Sequence, residues 1–206
     1  MTGAPTVYVV DDDPGALRSL CWLIQQARLS VRAFASGRDF LDAYRSHEAG
    51  CLVLDVRMPE VGGLEIQQRL SRDGVELPII FITAHGDVRT CARAIKAGAV
   101  DFLEKPVDGE LLLDRIREAL ARGAELREQQ RIAADAAARI SRLSPREKDV
   151  LQLLVAGKTL KEIAALSNVT VQTVWKQRQS IYGKMGVESD AELVRVATRW
   201  LGEQHS

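Results

Sequence analysis

Two rhythms of apolar and polar residues divide the chain. In the first 120 residues, short β-rich apolar runs occur at Val7–Val10, Val31–Phe34, Cys51–Leu54, Pro78–Ile82 and Val100–Leu103. Runs of this length and composition predict buried strands. Between them apolar residues fall at helical spacing, as in Leu17, Leu20, Cys21 and Ile24, or Leu64 and Leu70. Asp13-Pro14, Ser36 and Asp87 mark helix starts, and Gly74 and Gly98 mark helix ends. Five repeats of strand then helix predict a parallel sheet covered by helices on both faces. In such sheets a ligand site lies beyond the carboxyl ends of the strands, where the strand order reverses.

Further along, the rhythm becomes purely helical. Asp108 is placed to cap a helix carrying Leu112, Leu113, Ile116 and Leu120 on one face. From Ala119 to Ile140 the chain is rich in Ala, Arg, Glu and Gln without proline, a helix-forming composition in which Gly123 costs about 1 kcal/mol. Leu126, Ile132 and Ile140 fit a heptad poorly, so a solvated spacer helix is expected rather than a coiled coil. Three capping boxes then follow: Ser144-Pro145-Arg146-Glu147, Thr159-Leu160-Lys161-Glu162 and Ser189-Asp190-Ala191-Glu192. Gly157 is placed to end the first helix. Val150, Leu151, Leu154, Ile163, Leu166, Val174 and Ile181 supply a small helical core. Ile163-Ala164, a tight turn with Asn168 in the left-handed region, and a helix of about residues 171–184 make a helix-turn-helix pattern.

Composition adds one distinction. The 206 residues carry 28 basic and 28 acidic side chains, but residues 1–120 hold 14 and 18 of them and residues 142–206 hold 10 and 7. An acidic front and a basic back suggest modules with different partners. The longest nearly apolar run, Leu77 to Ala84, is far short of a membrane span. A secretory signal is not expected, because the first apolar stretch runs straight into Asp11-Asp12-Asp13. Cys21, Cys51 and Cys91 are odd in number and lack CxxC spacing, which fits core filling in a reducing, cytoplasmic setting.

The polar residues at the strand ends carry the chemistry. Asp11 and Asp12 end the first run, Asp55 the third and Thr83 the fourth, and Lys105 follows the fifth. Three crowded carboxylates stay ionised only if a cation joins them, and hard oxygen ligands suit Mg²⁺. A lysine and a hydroxyl beside such a carboxylate are what an incoming phosphoryl group requires. In the back module Lys176, Arg178 and Lys184 lie on the second helix of the helix-turn-helix with few acids, which suits DNA phosphates.

Residues 5–120 resemble the receiver domain of two-component response regulators. The resemblance is carried by Val9-Val10-Asp11-Asp12-Asp13, Leu54-Asp55-Val56-Arg57-Met58-Pro59, Thr83-Ala84-His85-Gly86 and Phe102-Leu103-Glu104-Lys105-Pro106. It implies a flavodoxin-like, doubly wound α/β fold with strand order 2-1-3-4-5. It also implies that Asp55 accepts a phosphoryl group from a sensor histidine kinase. Asp12, Asp55 and the backbone carbonyl of Arg57 would ligate Mg²⁺, and Asp11 would assist through water. Thr83 and Lys105 would bind the phosphoryl oxygens, Thr83 and Phe102 would form the switch, and Lys105-Pro106 would be cis.

Residues 142–202 resemble the C-terminal DNA-binding domain of LuxR/FixJ/NarL-type regulators. Leu143-Ser144-Pro145-Arg146-Glu147, Lys161-Glu162-Ile163-Ala164, Thr173-Val174 and Lys184-Met185-Gly186-Val187 carry this likeness. It implies a tetrahelical fold that binds paired half-sites as a dimer. By position Trp175, Lys176 and Gln179 would meet bases, with Arg178 near the backbone; Trp175 would either contact thymine methyls or pack against a neighbour. Leu160, the order Leu166-Ser167, and Trp175 and Gln177 depart from the family's usual residues, so the DNA sequence cannot be borrowed from relatives.

The expected organisation is a receiver (1–120), a helical linker (121–141) and a helix-turn-helix domain (142–206). The expected function is a transcription factor gated by Asp55 phosphorylation, a homodimer when phosphorylated, with RNA polymerase as a further partner. No enzymatic turnover is expected: a phosphohydrolase of this kind needs an Asp-x-Asp pair, and Asp55 is followed by Val56 and Arg57. A regulator independent of phosphorylation would leave the pocket without a use.

Overall fold

The structure, a computed structural model, describes residues 4–45, 48–84 and 88–203, with side chains to residue 198. The chain divides into two units, 1–127 and 128–206. Unit 1 contains β1 (Thr6–Val10), α1 (Pro14–Gln26), β2 (Ser30–Phe34), α2 (Gly37–Ala43), β3 (Gly50–Asp55), α3 (Gly63–Arg72), β4 (Ile79–Thr83), α4 (Val88–Lys96) and β5 (Asp101–Glu104). The sheet is parallel throughout, in the order β2-β1-β3-β4-β5. This is the flavodoxin-like order that the receiver resemblance implies.

Successive strand residues point to opposite faces, and here both faces are covered. Val7, Val9, Cys51, Val53, Ile80 and Ile82 pack with Leu112 and Ile116 on one face. Tyr8, Val10, Leu52, Leu54 and Phe81 pack with Phe40, Ile66 and Leu70 on the other. Burying each such side chain contributes about 1.5–3 kcal/mol. Cys51 is one of these core residues, and burial pushes its thiol up to about 12.

Local signals produced the helix starts. Asp13 accepts hydrogen bonds from the amides of Gly15 and Ala16, and Ser36 from that of Asp39. Asp108 accepts from Glu110 and Leu111. Gly74 and Gly98 take left-handed φ values of 66° and 92° at helix ends. Asp87 and the His85-Gly86 pair lie outside the described residues.

Helix α5 (Gly109–Ser141) continues without a break through the segment expected to be a linker, and the division between the units falls within it. It is less solvated than a spacer. A Cβ on buried Gly123 would come within 3.2 Å of the Gly50 carbonyl and of Pro78. At the other end Ile140 is buried in the core of unit 2.

Unit 2 continues with α6 (Pro145–Val155), α7 (Leu160–Leu166), α8 (Val171–Met185) and α9 (Asp190–Glu203). Val150, Leu151, Ile163, Val174, Ile181, Met185 and Leu193 form its core. The first two capping boxes close reciprocally. The third closes on one side only: Ser189 accepts from the Glu192 amide, while the Glu192 carboxylate accepts from Glu188 instead. Asn168 takes the left-handed turn position with φ 51°. Leu166, expected in the core, is 65% exposed, because the turn leaves the last residue of α7 on its outer side. Among the described residues no helix is long and apolar enough to cross a membrane.

Candidate functional site

Sheet register gathers the polar strand-end residues. Val10 pairs with Leu54, Asp55 with Ile82, and Thr83 with Glu104. The next residues, Asp11 and Lys105, therefore leave their strands at the same rim as Asp55 and Thr83. Lys105 Nζ lies 2.7 Å from Asp11 Oδ2 and 2.9 Å from Asp55 Oδ1, bridging two carboxylates that are nearly buried. Asp55 Oδ2 accepts from the Arg57 amide at 2.8 Å, and Asp11 Oδ1 from the Asp13 amide at 2.9 Å.

Burial pushes the Asp55 carboxyl above its ordinary value, with Lys105 opposing. Burial acts against the Lys105 ammonium too, but its bonds to Asp11 and Asp55 outweigh this and hold its pKa up. The pocket thus favours a charged lysine beside a carboxylate that is costly to keep ionised. The approach of α3 is part of the same geometry. A Cβ on Gly63 would sit 2.3 Å from the Asp55 carbonyl oxygen, so only glycine lets the helix start this close.

Thr83 is buried at the end of β4, and its carbonyl accepts from the Lys105 amide at 2.7 Å. Phe102 is half-buried on β5, its ring 6.1 Å from that of Phe81. Lys105-Pro106 is cis. Asp12, next to Asp11 after the end of β1, is exposed. The strand ends at Val10, and of the two acids that follow only Asp11 turns in to Lys105. Among the described residues no three acid, cysteine or histidine groups converge tightly enough to enclose a cation by themselves. The donor set nevertheless suits Mg²⁺, which takes one or two carboxylates and fills its remaining positions with water.

On unit 2, α8 presents Trp175 at 49% exposure, with Lys176 and Gln179 exposed beside it. Arg178 and Lys184, read as phosphate contacts, each have a partner within the unit. Arg178 makes a two-pronged contact with Asp190 at 3.0 and 2.6 Å and lies over the Tyr182 ring. Lys184 Nζ lies 2.7 and 2.9 Å from the Glu147 carboxylate oxygens. Burial works against Glu147, but bonds from Lys184, Ser180 and Ser144 prevail and hold it down at about 2.

Glu147 was legible only as a capping residue; its pairing with Lys184 has no signal in the sequence. The same holds for buried Gln67 of α3, whose amide donates to the Ala94 and Ala97 carbonyls and ties α3 to the end of α4.

Comparison with known proteins agrees with this division. Residues 7–117 match the response regulator receiver domain, and residues 141–197 match the bacterial regulatory proteins of the luxR family. The transcriptional regulatory protein TdiR of Thauera aromatica is 44% identical over 202 residues, spanning 98% of this chain and 88% of the relative. The transcriptional regulatory protein FixJ of Bradyrhizobium diazoefficiens is 39% identical over 199 residues, 97% of each chain. The solved structure of the response regulator StyR superposes with a TM-score of 0.85 at 40% identity, covering 96% of this chain and all (100%) of that one. Receiver domains generally bind Mg²⁺ at the phosphorylation site, and the family implies a cognate kinase and DNA binding. The chain belongs to the two-component response regulators that join a receiver domain to a LuxR-type DNA-binding domain.

Proposed function

We infer that phosphorylation of Asp55 gates DNA binding by this regulator, with residues 1–120 as receiver, 121–141 as helical linker and 142–206 as the DNA-binding domain. The observation that supports it most is the Lys105 ammonium held 2.9 Å from Asp55 and 2.7 Å from Asp11 at the carboxyl rim of the sheet. A carboxylate oxygen of Asp55 attacks the phosphorus of a kinase phosphohistidine. The O–P bond forms as the P–N bond breaks, and the imidazole leaves with the electron pair and takes up a proton. Lys105 moves with the developing charge on the phosphoryl oxygens, and the Arg57 amide keeps the carboxylate oriented. Mg²⁺, held by Asp12, Asp55 and the Arg57 carbonyl with Asp11 assisting, would offset the remaining charge on those oxygens when bound.

Asp55 acts as an acceptor that stores the group, not as a turnover catalyst. Thr83 then turns toward the phosphoryl group and Phe102 moves inward. Both changes alter the surface of α4 and β5, shifting the population toward a homodimer that binds paired half-sites and works with RNA polymerase in the cytoplasm. Trp175, Lys176 and Gln179 face the bases, and Arg178 and Lys184, whose pairs with Asp190 and Glu147 also hold α8 in place, serve the DNA backbone.

The test measures binding to a promoter fragment found by genome-wide footprinting, with and without acetyl phosphate and Mg²⁺. Affinity rises on phosphorylation in the wild type and stays at its basal level in Asp55→Asn. Equal affinity in all four conditions would refute gating.

A further inference from the structure

Helix α8 has an unfilled position. Gly183 lies in its interior, two residues before its end at Met185, and is exposed. A Cβ built there meets nothing within 4 Å, so no protein neighbour requires the side chain to be missing. Glycine inside an exposed helix is the least favourable residue after proline, because it loses the most backbone freedom on folding. The helix therefore forgoes stability at a place where alanine would fit without strain.

Its neighbours suggest why. Gln172, Lys176, Gln179 and Gly183 follow one another at intervals of four, three and four, so they form one stripe along the helix. All four are exposed, while Val174, Ile181 and Met185 hold the opposite side in the core. Gly183 is thus on the face that carries Lys176 and Gln179. At 1.5 Å per residue it lies about 10 Å along the axis from Lys176. The major groove is about 12 Å wide, so a helix with Lys176 over the bases brings Gly183 to the groove wall, where the sugar-phosphate strand runs.

We propose that Gly183 is a clearance position, where the α8 backbone closes against a DNA strand because no side chain stands between them. This rests on the reading of α8 as the DNA-facing helix. Gly183 touches no base and carries no charge; it sets how deeply Lys176 and Gln179 enter the groove.

The experiment uses the full chain and two variants, Gly183→Ala and Gly183→Leu, which share nearly the same helix propensity but differ in bulk. Binding to a short random-sequence duplex at low salt is followed by fluorescence anisotropy, and stability by urea unfolding. The urea midpoint of Gly183→Ala rises, while its Kd weakens about tenfold and that of Gly183→Leu weakens further. Two stabilised variants that bind as tightly as wild type would overturn the proposal and leave the DNA-facing reading intact, provided Lys176→Ala still weakens binding. A lowered midpoint in Gly183→Ala would also overturn it, since the added methyl would then be meeting protein. If wild type itself binds no duplex, both the clearance role and the reading beneath it fall.

Discussion

Glu147 makes the DNA-binding unit sensitive to acid in a way that can be worked out from its contacts. Its carboxylate is 9% exposed and accepts hydrogen bonds from Lys184, from the Ser180 hydroxyl at 2.7 Å and from the Ser144 amide at 2.7 Å. The group titrates at an ordinary 4.5 when unfolded and is held at about 2 in the fold. At 1.36 kcal/mol per pK unit, the difference links this one proton to about 3 kcal/mol of stability. Because the folded value is the lower one, that stability is fully present above the unfolded value and drains away as pH falls from about 5 toward 2. Glu147→Gln removes the charge but keeps the shape. Losing one partner of a buried pair costs about 3–5 kcal/mol, reduced here toward 2–3 kcal/mol because Lys184 is 39% exposed.

Urea unfolding is followed by tryptophan fluorescence in a Trp22→Phe background, which leaves Trp175 and Trp200, both in unit 2. Trp22 is 63% exposed, so its replacement perturbs little. At pH 7 the Gln variant is less stable by about 2–3 kcal/mol, and the gap narrows as pH falls below 4. Other acids, such as Asp190 beside Arg178, titrate in both proteins and cancel in the difference. A gap that stays constant from pH 7 to pH 2.5 would refute the assignment of this linkage to Glu147.

Three further outcomes are expected. Lys105→Met slows accumulation of the acyl phosphate from acetyl phosphate by about 10²-fold, the scale for losing one preorganised charge; an unchanged rate on phosphate-affinity gels would remove Lys105 from the chemistry. Gly63→Ala forces its Cβ against the Asp55 carbonyl, which lies only 2.3 Å away. It lowers the stability of unit 1 by about 1–3 kcal/mol, read as a lower urea midpoint, and slows Asp55 labelling with it. Lys176→Ala weakens DNA binding across sequences and reduces the slope of log K against log salt by about 1, whereas an unchanged slope would place its ammonium away from phosphate.

Much of the architecture was legible in short stretches of chain. Five apolar runs and the helical spacing between them specify the order of elements, because strand and helix periods are read over a few residues. Asp13, Ser36, Asp108, Ser144 and Thr159 each cap a helix through amides two or three residues away, so a window of four suffices to find them. Asn168 takes its left-handed turn for an equally local reason. The local reading went astray in two places, one decided by the turn that ends α7 and the other by neighbours distant in sequence. Leu166 has the right spacing for the core yet faces outward, and the expected solvated helix is packed at Gly123 and Ile140.

The candidate site divides in the same way. Asp11, Asp12, Asp55, Thr83 and Lys105 are recognisable because each ends or follows a strand, and a parallel sheet puts all strand ends at one rim. Which of them meet was left to packing: Lys105 reaches across 94 residues to Asp11 and spares Asp12. On unit 2 the basic residues of α8 look alike in sequence, but Arg178 turns to Asp190 and Lys184 to Glu147, leaving Lys176 outward. Backbone periodicity and capping depend on residues within a turn of one another, so the chain declares them directly. The partner of a charge depends on which side chains the whole core brings within about 3 Å of it, and that sum is made only when the fold closes.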